Sequence, residues 1–73
     1  MTRIFTAMIC REEDAFVANC PELDVVSQGR SVEEARDNLR EAVELFLETA
    51  SPQEIKDRMH GEVYLTPLEV KVG

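Results

Sequence analysis

β-Branched and aromatic residues cluster at the start of the chain, where Ile4, Phe5, Thr6 and Ile9 fall within Arg3 to Arg11. Such residues fit a pleated, half-buried surface, so this stretch predicts a first strand. Glu12-Glu13-Asp14 is a short polar connection with no room for a crossover, and the segment from Ala15 to Cys20 is again apolar. That second stretch should return antiparallel, as the partner in a hairpin. The connection lacks the glycine that favours a two-residue primed turn, which leaves the register open at this level. Pro21 cannot donate to a ladder and therefore ends the second strand or makes a bulge. Leu23 to Gln28 predicts a third strand that closes a meander.

Beyond Gly29 the apolar period changes. Val32, Ala35, Leu39, Ala42, Val43, Phe46 and Ala50 recur largely at three- and four-residue steps. They predict a helix from Ser31 to Ala50 with its stripe against one face of the sheet. Ser31 and Glu34 form a capping box: the serine oxygen accepts from an early helical N–H, and the glutamate reaches back to the serine N–H. Leu45 and Leu47 lie off the centre of the stripe and widen it, so that either the following segment or a partner must cover them. Ser51-Pro52-Gln53-Glu54 signals a second, short helix with proline where its missing N–H does no harm, and Gly61 can take the left-handed conformation that stops it. In Val63 to Val72, Leu68, Val70 and Val72 alternate with Glu69 and Lys71, the pattern of a half-buried strand. Pro67 bends that strand or confines it to a sheet edge. Strands, a long helix and a further strand indicate a two-layer α+β domain: a three-stranded antiparallel meander, one main helix and a fourth strand.

Seventy-three residues make a single domain spanning 1–73. An apolar core of this size rarely supplies more than about 3–5 kcal/mol, so small domains lean on disulfides, metals or partner chains. Cys10 and Cys20 both sit in apolar strand segments, where a thiol behaves as a small buried hydrophobe, and a single histidine gives no metal-ligand cluster. Oligomerisation, as a dimer or higher, is the remaining way to complete the core. The first residues lack the apolar h-region of a secretory signal, and no window approaches the length needed to span a bilayer. With two reduced cysteines the chain reads as cytoplasmic. Fifteen acidic residues against eight basic ones give a net charge of −7, which disfavours direct nucleic-acid binding and suits a basic protein partner.

Candidate chemistry is sparse. His60 stands in the turn that ends the second helix, with no nucleophile or orienting partner beside it, so it reads as a surface residue interacting with the helix C-terminus. Cys10 and Cys20 lack the spacing of a redox pair. Asp37, Glu41, Glu44 and Glu48 recur at steps of four, three and four and line one helical face, with Arg40 relieving part of their repulsion. Carboxylates strung along a helix do not converge on one ion. The stripe is a solvated face or a docking surface for a basic partner.

From Phe16 to Ala35 the chain reads FVANCPELDVVSQGRSVEEA. Strand, Cys20-Pro21-Glu22-Leu23, strand, Ser27-Gln28-Gly29, then Ser31 and Glu33-Glu34-Ala35 opening a helix: this order resembles the HicB-like antitoxin domain, an incomplete RNase H-like fold. The resemblance is close over residues 3 to 50 and looser beyond. It implies a fourth strand beside the first and a non-enzymatic antitoxin. The partner would be a small basic RNA-cleaving (HicA-like) toxin whose RNA-binding or catalytic surface is masked. Cys20, Pro21, Leu23, Gln28, Gly29, Ser31, Glu34 and Ala35 match the family pattern as scaffold residues. RNase H-like nucleases use a first-strand aspartate in a two-metal site; Ile4 to Cys10 contains no acidic residue, so a degenerate nuclease is not expected. HicB-like proteins often add a C-terminal DNA-binding segment, and one extended segment after the short helix leaves operator binding unexpected here. The contact candidates for a basic partner are Asp37, Glu41, Glu44 and Glu48 with the hairpin acids Glu12, Glu13 and Asp14. No cofactor or metal is expected. The alternative is an orphan module that only self-associates.

Overall fold

The computed structural model describes residues 2–73. Strands β1 (Met8–Glu12), β2 (Ala15–Cys20) and β3 (Val25–Gly29) form one antiparallel sheet in the order β1-β2-β3, followed by helices α1 (Val32–Thr49) and α2 (Pro52–Arg58). The fold is α+β. Glu12 opposite Ala15 and Met8 opposite Asn19 fix the hairpin register, with Glu13 and Asp14 as its two-residue loop. Glu13 takes φ 55 in place of the missing glycine, so the turn forms although its first central residue has a side chain.

The first strand is shorter than its apolar composition predicts. Residues 2–7 have no strand opposite them, because β2 ends at Cys20 where Pro21 turns the chain. The third strand starts two residues later than expected: Leu23 donates its N–H to Cys20 O at 3.2 Å, and Asp24 turns with φ 55. The alternating segment 63–72 pairs with no strand, so the fourth strand is not formed within the chain.

Helix α1 starts as its capping residues dictate, with Ser31 Oγ accepting from Glu34 N–H at 3.0 Å. The reciprocal half of the box is displaced by one residue, since Glu34 Oε1 accepts from Arg30 N–H rather than from Ser31. Ser51 Oγ caps α2 by accepting from Glu54 N–H at 3.1 Å. Gly61 does not take a positive φ; α2 ends on the extended cap residue Met59, whose N–H donates to Ile55 O.

Helix α1 packs over β3 and β2 and barely reaches β1. Ala18, Cys20, Leu23, Ala35, Leu39 and Val43 form the buried core, with Phe5, Ile9, Phe16, Val25, Phe46, Leu47 and Met59 against it. Val32, expected in the stripe, is 46% exposed at the first turn. Gly29 meets the helix start so closely that a Cβ there would lie 2.5 Å from Ala35 N. Glycine is required at this point for close approach rather than for a turn. The far face of the sheet carries Met8, Cys10, Val17 and Val26 and has no layer on it among the described residues. Cys10 is therefore exposed, against expectation, whereas Cys20 is buried.

Candidate partner-binding surface

At 100° per residue, Asp37, Glu41, Glu44 and Glu48 fall within an arc of about 60° on α1, nearly opposite the buried Leu39. All four are exposed. Asp37 has arginine company, with Arg36 Nε and Arg40 Nη2 each 3.8 Å from its Oδ1. Those contacts are long and solvated, and contribute little. Glu41, Glu44 and Glu48 form no ion pair among the described residues. No group of His, Cys, Asp and Glu there gathers closely enough to hold a metal ion.

The hairpin acids lie elsewhere. Glu12, Glu13 and Asp14 are exposed and border a shallow depression shared with Arg30 and Glu34 at the N-terminal end of α1. Glu34 stands about 20 Å from Glu48 along the helix axis. The seven predicted residues thus stand in two acidic regions, the stripe along α1 and the hairpin turn near the start of that helix.

A second feature was not apparent in the residue pattern. The β2–β3 loop, Cys20 to Asp24, gathers three distant segments. Glu22 accepts from Thr6 N–H at 3.1 Å, from Thr6 Oγ1 at 2.6 Å and from Cys20 Sγ at 3.5 Å. Burial pushes the Glu22 carboxyl up, but these hydrogen bonds outweigh it and hold the group below its ordinary value. Burial, followed by the bond to Glu22, raises the Cys20 thiol, so that it stays protonated as a donor. On the other side, Arg58 donates to Leu23 O at 3.1 Å and Asp24 O at 2.8 Å, and its guanidinium lies 4.9 Å from the Phe46 ring centroid. His60 N–H donates to Glu22 O at 2.8 Å, and its Nε2 stands 2.7 Å from Asp24 Oδ2. His60 therefore ties the end of α2 to this loop, and does not serve the helix C-terminus as its position suggested. All but one of these contacts join residues far apart in the chain. The visible signal of the hub was the Pro21 break followed by Glu22 and Asp24.

Beside the hub, residues 2–7 and α1 bound an open groove of about 550 Å³, floored by Phe5, Leu39, Val43 and Leu47 and rimmed by Arg36, Arg40 and Glu44. The groove exists because α1 sits off-centre toward β3.

A protein of Helicobacter pylori (strain J99), described as a UPF0150 protein, is 34% identical to this chain over 68 residues, covering 92% of this chain and 94% of that protein. The chain belongs to the UPF0150 family. No family model matches it, and no solved structure is similar to it. The match therefore takes in nearly the whole of both chains. Among the described residues no helix is long and apolar enough to cross a membrane.

Proposed function

We propose that this UPF0150 chain is a non-enzymatic, cytoplasmic, HicB-like antitoxin. It neutralises a small basic RNA-cleaving toxin by covering the surface that takes RNA, and it does so as a homo-oligomer. The observation that carries the reading is the exposed flank of α1. Glu41, Glu44 and Glu48 stand free of ion pairs among the described residues on a chain of net charge −7. Carboxylates spaced along a rigid helix can occupy the lysines and arginines that would otherwise hold RNA phosphates, speeding encounter and setting partner choice. The hairpin acids Glu12, Glu13 and Asp14 extend the same sign of charge past the N-terminal end of the helix.

The test is RNA cleavage by a HicA-like toxin encoded beside this chain, titrated with the full protein. Cleavage should stop near equimolar addition, with affinity falling as salt rises. Glu41→Lys with Glu44→Lys should weaken binding at least tenfold, equivalent to about 1.4 kcal/mol, and flatten the salt dependence. Cleavage that persists at excess protein would overturn the reading. The second reading, an orphan module that only self-associates, is favoured by the exposed apolar C-terminal segment and predicts no inhibition at any ratio.

A further inference from the structure

The described chain exposes 6151 Å². A compact monomer of its mass exposes about 4,600 Å², so the excess is about 1,500 Å². Its radius of gyration is 14.2 Å, against about 11 Å for a compact chain of this length. The excess has an identifiable source. Tyr64, Leu65, Leu68, Val70 and Val72 are 60–91% exposed on a segment that pairs with nothing in its own sheet. Two copies each burying such an excess would bury about 3,000 Å² in total, the size of an obligate homodimer interface.

The seat for that segment is also visible. The outer edge of β1 has no neighbour, and the residues that lead into it, 2–7, bound the apolar groove with Leu39, Val43 and Leu47 of α1. The opposite edge, β3, is less available: it runs directly into the start of α1, and Gln28 O already accepts from Asn38 Nδ2 at 2.8 Å. We propose that residues 63–72 of one copy cross to a second copy and add to the β1 edge as its fourth strand, reciprocally, in a two-fold dimer. This deepens the oligomer part of the function proposed above and stands whether or not a toxin binds.

Strand parity supports the assignment. Alternate residues of a strand direct both N–H and C=O to the same neighbour, and side chains alternate in step. Pro67 has no N–H, so its parity must face away from β1. That leaves Thr66, Leu68, Val70 and Val72 directed at β1, with their side chains together on one face. Leu68, Val70 and Val72 of this set are apolar, with Leu65 on the other parity, and the groove bounded by residues 2–7 is the apolar site at the start of that strand. Glu69 and Lys71 share the parity of Pro67 and stay on the outer face. Proline on the new outer edge also discourages further strand addition, which closes the assembly at two copies.

Three measurements on the full chain test the proposal. Sedimentation equilibrium should give twice the chain mass, and Leu68→Asp with Val70→Asp should return it to the single-chain mass with the helical circular dichroism retained. Amide exchange by NMR should show Leu68, Val70 and Val72 protected and Glu69 and Lys71 unprotected, with the protection lost on dilution. In a mixture of isotope-labelled and unlabelled chains, filtered NOEs should join the segment to β1 between copies. A monomer, a dimer whose 66–72 amides exchange freely, or protection with NOEs confined to one chain would each overturn it. None of these involves the toxin, so failure here leaves the cleavage assay to be judged separately.

Discussion

Glu22 shows how much one side chain can decide in a small domain. Its carboxylate receives three donors from Thr6 and Cys20, while its own carbonyl receives His60 N–H, so the segments before β1 and after α2 meet on one residue. The carboxyl is held below its ordinary value of 4.5. A depressed carboxyl contributes stability that is present in full above its unfolded value and is lost as pH falls through the folded one. Denaturant titrations should therefore show wild type losing stability progressively below about pH 4.5 at this site. Glu22→Gln should be less stable by about 1–3 kcal/mol at neutral pH, the scale of charge-assisted hydrogen bonds. That gap should shrink toward acid, and a gap independent of pH would remove the charge from the account. Gly29 makes a different point. A Cβ there would stand 2.5 Å from Ala35 N and 2.8 Å from Glu34 C, both backbone atoms that cannot rotate away. Gly29→Ala should cost about 1–3 kcal/mol in thermal or chemical denaturation, as overpacking does. The family pattern marked Gly29 only as a scaffold residue; the reason it is glycine lies in a helix-to-strand approach that no local pattern reveals.

Among the elements, α1 was the most legible. Its bounds follow from Ser31 and from apolar spacing, both local properties, and Leu39 is only 4% exposed as that spacing required. Leu39→Ala should cost about 2–5 kcal/mol, a large share of the stability of a small domain. A loss under about 1 kcal/mol in chemical denaturation would mean that the helix presents another face. Phe46 is less deeply set, shared between the core and the Arg58 guanidinium, and its truncation should cost less. The strands were legible in kind but not in extent. Arg3 to Ala7 has strand composition, yet a strand needs a partner, and β2 has already ended at Cys20. The same reason applies to 63–72: alternation shows that the segment can pair, and cannot show with what.

For the whole molecule, charge and exposed surface matter most. A net charge of −7 on 73 residues is fixed by composition alone. Its distribution is not, and the structure places the hairpin acids beside the N-terminal end of α1 at Glu34, which lies about 20 Å from Glu48 along the helix axis. A basic partner that touches both must therefore be a broad surface, so charge reversal at Glu41 and Glu44 should weaken binding without abolishing it. Loss of binding on that change with no effect from neutralising Glu12, Glu13 and Asp14 would confine the contact to the helix. The order of the three paired strands and two helices, the start and face of α1 and the capped start of α2 were set by the sequence, because each depends on residues within a few positions of one another, and the sign of the surface follows from composition. Tertiary structure alone decided where the first strand stops pairing, the role of His60, the Glu22 hub, the open groove between residues 2–7 and α1 and the unpaired C-terminal segment. Each of these depends on which distant backbone edge or side chain is within reach, and that is determined only when the chain has packed.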